Sequence, residues 1–304
     1  MPELPDISLY LSVLRPRIVG RVLERVTIRS PFLLRSTEVG PEECEGRRVE
    51  GVERLGKRIV VGLEGEVFLV LHLMIAGRLL WKQRGARPAG RIDLAALGFD
   101  CGTLVLTEAS TQKRASLHIV RGREAVAAMD PGGIDPLACS AEQFAAALRR
   151  ERRTLKRALT SPRTFSGIGN AYSDEILHAA GLSPLQLTTN LSDDEAARLH
   201  AATREVLEAW TRRLHEEFGV ADGEPGRFPG PGDITAFRPG FAVHGRYGQP
   251  CPACGTAVQR ILYADNETNY CPRCQTGGRV LADRAMSRLL RDDWPRTVEE
   301  WEAG

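Results

Sequence analysis

The stretch Arg58-Ile-Val-Val-Gly-Leu-Glu-Gly-Glu-Val-Phe-Leu-Val-Leu-His72 contains two short apolar runs on either side of a Glu64-Gly65 turn. This pattern predicts a β-hairpin with strands at Arg58–Leu63 and Glu66–Met74. Neither run has the ~20 apolar residues that are needed to cross a bilayer. Further strand patterns indicate a β-sandwich over the N-terminal part of the chain; they lie at Val22–Ile28, Thr103–Thr107 and Ala115–Val120.

The chain opens with Met1-Pro-Glu-Leu-Pro-Asp6, which pairs a candidate nucleophile with a candidate proton donor. Removal of Met1 would leave Pro2 with a secondary amine, and a terminal amine titrates near pH ~8 against ~10.4 for lysine. A neutral amine can attack a sugar or carbonyl carbon and form an iminium, with Glu3 beside it to transfer protons. Pro5 suits the first turn of a helix whose positive dipole end would point toward Pro2. The alternative is a disordered tail.

The composition is that of an ordinary globular protein. The 304 residues are 42% hydrophobic and 26% charged, which indicates about two domains. A formal net charge of +2 neither requires nor excludes nucleic acid. Because there is no membrane-spanning segment and no signal-peptide pattern, we expect a cytoplasmic protein with no membrane partner.

Two Cys-x-x-Cys motifs, Cys251-Pro-Ala-Cys254 and Cys271-Pro-Arg-Cys274, are separated by sixteen residues. Four thiolates at this spacing can form a tetrahedral zinc site. Gln259–Tyr263 followed by a turn at 264–267 predicts a hairpin between the motifs. Redox pairs and disulfides are the alternatives, but two motifs in a cytoplasmic chain favour zinc. We predict one structural zinc ion per chain and no organic cofactor.

The chain becomes helical after a linker rich in Pro and Gly. Capping signals predict helices that begin near residues 140, 170 and 192. The basic segment Leu148–Arg157 is more often a solvated helix face than a phosphate site. Residues 221–240 are crowded with Gly and Pro, which predicts a long mobile loop.

Several motifs occur in one order and together resemble the formamidopyrimidine-DNA glycosylase / endonuclease VIII family. The paired cysteine motifs are distinctive alone, whereas the others gain their specificity from the order. The motifs are Pro2-Glu-Leu-Pro5, Gly56-Lys-Arg58, His72-Leu73 before Ala76-Gly-Arg78, Gly167-Ile-Gly-Asn-Ala-Tyr-Ser-Asp-Glu175, and His244-Gly-Arg246 ahead of the cysteines.

The resemblance implies an α+β fold. It consists of an N-terminal β-sandwich with a flanking N-terminal helix, a helix-two-turn-helix module and a zinc-finger β-hairpin, with DNA in the cleft between the two domains. We predict five segments in chain order: 1–130 as the catalytic sandwich, 131–139 as a linker, 140–240 as the helix-two-turn-helix region with the loop 221–240, 241–275 as the zinc finger, and 276–304 as a helical extension.

The resemblance also implies an activity, namely excision of an oxidised base followed by strand cleavage. Pro2 would attack C1′ and form a Schiff base, Glu3 would transfer protons, and Lys57 would contact phosphate and assist β-elimination. His72 and Asn170 would contact phosphates. Without the resemblance these last three residues read as an exposed lysine, a core histidine and a plain helix cap.

A flipped base leaves a gap in the duplex that the protein must fill. Ile75 or Met74 could act as the wedge, and Lys156 of the basic segment is assigned to DNA binding as well. The family's void-filling arginine and phenylalanine are not evident in 107–114, where Lys113 or Arg114 could substitute. Asn266 occupies the place of a phosphate-gripping arginine implicated in δ-elimination, so that step could be weakened.

The expected partner is double-stranded DNA with a damaged base or an abasic site, bound by a monomer in the nucleoid. Two other functions remain open. A catalytically silent damaged-DNA-binding protein would keep the hairpin without using Pro2, and a zinc-ribbon adaptor would use only the cysteine motifs. The function as a zinc-ribbon adaptor does not explain why Pro2, Lys57 and Asn170 occur in the order of the family's motifs. The segment 283–292 is expected to form an amphipathic helix.

Overall fold

The computed structural model describes residues 1–221, 224–263, 266–282 and 295–303. The chain divides into two compact units, Met1–Pro131 with Ala209–Ala236, and Gly132–Glu208 with Phe237–Gly304. Among the described residues, every helix is too short or too polar to span a bilayer. The expected helix at 283–292 lies outside the described residues.

The first unit contains one long helix and two antiparallel four-stranded sheets. Helix α1 covers Leu4–Ile18. The sheets have the strand orders β1-β6-β7-β5 and β2-β3-β4-β8. The strands are β1 Arg25–Ile28, β2 Val49–Leu55, β3 Arg58–Leu63, β4 Val67–His72, β5 Gly77–Lys82, β6 Asp93–Phe99, β7 Gly102–Glu108 and β8 Ser116–Arg121, and a short helix α2 follows at Arg123–Ala127.

The predicted hairpin is the centre of the second sheet. Arg58 pairs with His72 and Leu63 pairs with Val67, so the predicted Glu64-Gly65 turn connects the two paired strands. Alternate side chains of β3 and β4 enter the main core with α1 and the other sheet. Two apolar faces that bury one another account for the sandwich. The strands β2, β5 and β6 were not predicted; charged residues and a glycine interrupt the apolar pattern of β2.

The second unit is mainly helical and ends in a hairpin. Its helices are α3 Ala141–Arg149, α4 Leu155–Thr160, α5 Asn170–Ala180, α6 Asp193–Glu217, α7 Pro272–Thr276 and α8 Val298–Ala303. The last residues of α6, from Ala209 onward, belong to the first unit. The hairpin consists of β9 Gln259–Tyr263 and β10 Asn266–Tyr270. Asn266 and Glu267 belong to β10, so the predicted turn was placed too far along the chain.

The predicted loop 221–240 contains no helix among its described residues, but part of it is packed. Ile234 is buried in the core of the first unit. The Phe228 ring lies 6.0 Å from the Tyr10 ring and 6.1 Å from the Trp81 ring. Apolar side chains therefore attach this Gly- and Pro-rich segment to the sandwich.

Candidate functional site

The first residues form a buried, capped turn. Glu3 and Asp6 are only 3% and 2% exposed, and Pro2 is buried as well. The backbone N–H of Glu3 donates to the Asp6 carboxylate at 2.8 Å. Asp6 thereby satisfies a donor at the start of α1, where the helix itself offers no acceptor. The terminus is thus held in one conformation beside the helix start.

Charged side chains act on this terminus. Burial lowers the pKa of the Met1 amino group; Glu3 opposes this shift, whereas Arg78 and Lys57 reinforce it. A lowered pKa increases the neutral, nucleophilic fraction of an amine near pH 7. Pro2 lies next to Met1, so the same charges would act on its amine once Met1 is removed. Arg78 was missed as a functional candidate, since in the sequence it is only the end of a short motif.

The Arg78 side chain is bound to the turn before it. Its Nη1 donates to the carbonyl oxygens of Gly77 at 2.7 Å and Ile75 at 3.1 Å. Its Nε is buried and has no hydrogen-bond partner among the described residues. An unpaired buried donor costs about 1–3 kcal/mol. The free Nε–H of the guanidinium can therefore gain a favourable hydrogen bond when a group binds beside it.

The turn between β4 and β5 presents the predicted wedge. Ile75 is 53% exposed, whereas Met74 is only half-exposed. Met74 has a φ of +54°, a left-handed conformation that is unfavourable for a side chain of this kind. A Cβ on Gly77 would lie 2.2 Å from the Leu73 carbonyl oxygen, so the turn requires glycine there. Of the two candidate wedges, Ile75 is the more exposed.

The loop 109–115 lies beside this turn because of strand register. His72 pairs with Ser116, and Gly77 pairs with Glu108, so the β4–β5 and β7–β8 connections leave the same end of the sandwich. The buried Glu108 carboxylate accepts the Arg114 N–H at 3.0 Å, and Lys113 donates to the Glu108 carbonyl. Glu108 therefore holds this loop through the Arg114 backbone and the Lys113 ammonium, while the Arg114 guanidinium donates to the Gln112 side chain.

His72 lies at the end of β4 and is electrically neutral. Burial, together with the neighbouring Arg58 and Lys57, lowers the pKa of His72 from 6.5 to about 4. The imidazole at pH 7 can therefore donate or accept one hydrogen bond but brings no positive charge. Any phosphate contact of His72 in this state would be an uncharged hydrogen bond.

In the second unit, a buried aspartate connects three segments. Asp174 on α5 is 0% exposed. Its Oδ1 accepts the Lys156 ammonium at 2.5 Å, while its Oδ2 lies 2.7 Å from His244 Nδ1 and accepts the Asn269 N–H at 3.1 Å. The carboxylate is paired and fully hydrogen-bonded, as a buried charge must be. It ties α4, α5 and the hairpin together.

The neighbouring Glu175 holds the segment before the zinc hairpin. Its carboxylate accepts the backbone N–H groups of Ala242, Val243 and His244 at 2.6, 2.9 and 2.8 Å. Burial is the largest influence on Glu175 and raises its pKa, against the effect of these hydrogen bonds. Two adjacent acidic residues of α5 thus fix the segment at 242–244.

Lys156 and Asn170 are joined by their polar groups. Lys156 is 8% exposed and also donates to the Asn170 carbonyl oxygen at 2.7 Å. Asn170 is the first residue of α5, and its side-chain N–H donates to the Glu267 carbonyl at 2.9 Å. The ammonium of Lys156 is engaged inside the unit, so its predicted DNA contact remains a prediction. Asn266 begins β10, but its side chain lies outside the described part of the structure.

The four predicted zinc ligands converge. The Sγ atoms of Cys251, Cys254, Cys271 and Cys274 all lie within 4.8 Å of one another. Tetrahedral coordination with Zn–S bonds of ~2.3 Å needs sulfur atoms roughly 3.8 Å apart, and two measured separations are 3.4 and 4.0 Å. His178 Nε2 lies 3.2 Å from Cys251 Sγ, where its N–H could donate to a thiolate. The donor set fits zinc.

Comparison with known proteins agrees with this arrangement. Three family models match: the formamidopyrimidine-DNA glycosylase N-terminal domain over residues 1–115, its H2TH domain over 133–215, and the zinc finger found in FPG and IleRS over 248–277. The predicted zinc site is therefore confirmed.

Full-length relatives match as well. A formamidopyrimidine-DNA glycosylase of Thermus thermophilus is 35% identical over 290 residues, which cover 91% of this chain and all of the relative. The crystal structure of the MutM (FPG) protein from the same species superposes with a TM-score of 0.71 at 34% identity, over 90% of this chain and 98% of that one.

A Lactococcus lactis FPG mutant in complex with Fapy-dG-containing DNA superposes with a TM-score of 0.77 at 24% identity, over 90% of this chain and all of that one, which supports the fold. The predicted fold class is confirmed by these structures. With the family models and the relatives taken together, the chain belongs to the formamidopyrimidine-DNA glycosylase family.

Proposed function

We propose that the chain excises an oxidised base from double-stranded DNA through a Pro2 Schiff base and then nicks the strand by β-elimination. The observation that carries this proposal is the buried, capped terminus, where burial, reinforced by Arg78 and Lys57, lowers the pKa of the terminal amine beside Glu3. The family is one of DNA glycosylases, and a structural relative binds DNA that contains Fapy-dG. Both facts support the assignment.

The first step in this proposal replaces the base by the amine and then opens the sugar ring. The lone pair of the neutral Pro2 amine attacks C1′ of the damaged nucleotide, the bond from C1′ to the base breaks, and the base leaves with a proton. The attached nitrogen then loses its own proton, and its lone pair forms the C1′=N bond of the iminium as the C1′–O4′ bond breaks and O4′ takes a proton. Glu3 is the group that transfers protons at the sugar and the departing base.

The second step removes the 3′ phosphate. An iminium at C1′ acidifies the hydrogens on C2′, so loss of one C2′ proton can expel the 3′ phosphate as the leaving group. Lys57 would hold and neutralise that phosphate. Water then hydrolyses the iminium and returns the free Pro2 amine.

DNA binding in this proposal uses both units. Asn170 at the start of α5 and the neutral His72 would contact phosphates, while Ile75 would enter the gap left by the flipped base. Lys156 would act as a positioning residue, since it donates to the Asn170 carbonyl. A repair enzyme of this type would act as a monomer on the nucleoid in the cytoplasm.

Borohydride trapping on an abasic-site duplex tests the proposal. Intact mass should show that Met1 is absent, and borohydride should link the protein covalently to the DNA. Pro2→Gly should lose most of the trapped product, because a primary glycine amine replaces the ring amine and its rigid geometry. A protein with one extra N-terminal residue is the matched control and should also fail to trap. Full activity with Met1 retained would disprove the proposal.

One observation favours the silent DNA-binding alternative, namely asparagine at position 266. Asparagine lacks the charge and the bidentate grip of a guanidinium, so the second phosphate should leave slowly. We expect β-elimination product to accumulate, and Asn266→Arg should shift the mixture toward δ-elimination product. Gel analysis of the 3′ ends measures this. Prompt, complete β,δ-product from the unmodified protein would contradict it, and no trapping or cleavage at all would support the alternative.

A further inference from the structure

A cavity of about 280 Å³ lies against the sheet β1-β6-β7-β5, apart from the N-terminal turn. Thr103 forms part of its wall, and the next residues of β7 with the opposite orientation, Leu104 and Leu106, belong to the main core. Since side chains alternate along a strand, Thr103 projects from the face opposite to that core. The proposed catalytic steps do not use this face of the sheet.

Strand register explains why the face is concave. Arg25 pairs with Gly98, and Gly98 pairs with Thr103, so one row across three strands has no side chain at its centre. The segment 84–87 after β5 forms the opposite wall. A missing side chain between two larger ones leaves a depression in the sheet surface, which this segment closes on one side.

The hydroxyl of Thr103 points to a missing ligand. Thr103 is 2% exposed, and its buried Oγ1 has no hydrogen-bond partner among the described residues. Buried hydroxyls are nearly always satisfied, so an unsatisfied hydroxyl on a residue of the cavity wall is a candidate contact for a bound molecule.

The charge around the cavity is positive. Arg25, Arg84 and Arg87 line it together with one acidic residue, Glu24, which pairs with Arg84 at 2.8 Å. No carboxylate pairs with Arg25 or Arg87 in the described ranges 1–221, 224–263, 266–282 and 295–303. Guanidinium groups bind phosphate oxygens in a bidentate manner, and a hydroxyl can add a third contact.

The wall segment is anchored, so the cavity is formed without a ligand. The Asp93 carboxylate accepts the N–H groups of Ala89 and Gly90, each at 3.1 Å, and lies 3.7 Å from the Lys82 ammonium. Arg29 also donates to the Gly90 carbonyl. These bonds fix the end of the segment that carries Arg84 and Arg87.

We propose that this cavity binds the phosphate group of a small phosphorylated compound through Arg25, Arg87 and Thr103. Its volume is just below the ~300–1,000 Å³ range of ligand pockets, which favours a compact ligand over a whole nucleotide. The two unpaired guanidinium groups select an anion, and the Thr103 hydroxyl provides the uncharged contact.

Isothermal titration at low salt, with glycerol 3-phosphate as probe and glycerol as its uncharged counterpart, tests this site in the full-length protein. Glycerol 3-phosphate should bind, and glycerol should not. Gly98→Val should fill the cavity; a Cβ at position 98 would make ordinary contacts with Arg25, of which the nearest is its Cβ at 3.6 Å. Loss of one charged contact in Arg25→Gln should weaken binding about tenfold.

Arg91→Gln is the matched control, since Arg91 is an exposed arginine of the same connection but does not line the cavity. This variant should bind the probe within about twofold of the unmodified protein. Equal weakening by Gly98→Val and Arg91→Gln would reveal unspecific surface charge and overturn the proposal. Absence of probe binding would overturn it too. Displacement of the probe by an undamaged duplex, with weaker duplex binding in Arg25→Gln, would assign the site to DNA phosphate instead.

Discussion

The N-terminal turn of the first unit and the acidic pair on α5 of the second unit are organised in opposite ways. Around the N-terminus, the buried Arg78 Nε has no hydrogen-bond partner in the described part of the chain, and Met74 has a left-handed backbone. On α5, Asp174 and Glu175 are each bound by three donors. An unpaired donor and backbone strain accompany the proposed chemistry, whereas full pairing is found at these two structural carboxylates.

This difference has a physical basis. A catalytic group must interact more strongly with the transition state than with its resting surroundings, so it keeps unused hydrogen-bonding capacity. A buried structural charge must be paired, since an unpaired one would destabilise the fold by several kcal/mol. Variants of the α5 carboxylates should therefore change mainly stability, and variants around the N-terminus should change mainly activity.

The largest effect is expected from removal of zinc. Structural zinc sites contribute about 10–16 kcal/mol of apparent binding free energy in small fingers, so Cys271→Ser or a strong chelator should unfold the hairpin and abolish DNA binding. Metal analysis should give one zinc per chain. Cys101→Ser, at an exposed cysteine outside the cluster, is the control. A metal-free protein that binds DNA normally would contradict the scaffold role.

The next largest effect should come from Asp174→Asn. The substitution leaves the Lys156 ammonium buried without its counter-ion and should reduce the free energy of unfolding by about 3–5 kcal/mol. Urea denaturation measures it. Glu53→Gln is the control, since Glu53 and Arg123 form an exposed pair worth less than about 1 kcal/mol. Equal losses in the two variants would remove the contrast between buried and exposed charges.

Arg78→Gln should leave stability nearly unchanged but move the pH dependence of trapping. The positive charge of Arg78 lowers the pKa of the terminal amine, so its removal should raise that pKa and shift the rising limb of the profile to higher pH. At pH 7 the trapping rate should fall about threefold. Lys82→Gln, on the same strand, is the control. An unchanged profile would show that Arg78 does not act on the amine.

The last effect concerns His72 and appears only when the pH is lowered. Its folded-state pKa of about 4 is below the unfolded value of 6.5, so the unfolded state binds more protons as the pH falls. The stability that depends on neutral His72 is complete above pH 6.5 and is lost toward pH 4. Between pH 7 and 5 the loss should be about 2 kcal/mol. In urea denaturation, His72→Gln should make the free energy of unfolding depend less steeply on pH between 7 and 5. The same slope in the variant and the unmodified protein would contradict the lowered pKa of His72.

The spacing of residue types over short stretches of the chain was sufficient to predict several features. The hairpin Arg58–Leu63 and Val67–His72 follows from two apolar runs around a glycine turn, and the cysteine cluster follows from its paired motifs. The start of α1 and the capping box at Ser140 were predictable because each depends on residues within one turn. The order of weak motifs was enough to identify the family.

The sequence by itself therefore determined the family, the zinc ligands and the elements whose signals are local. Only the tertiary structure decided that Arg78 acts on the N-terminus, that Asp174 joins Lys156 to the zinc hairpin, and that Gly98 lies between Arg25 and Thr103. These partners are far apart in the chain. Strand register and helix packing bring them together, and neither leaves a pattern in the residues nearby.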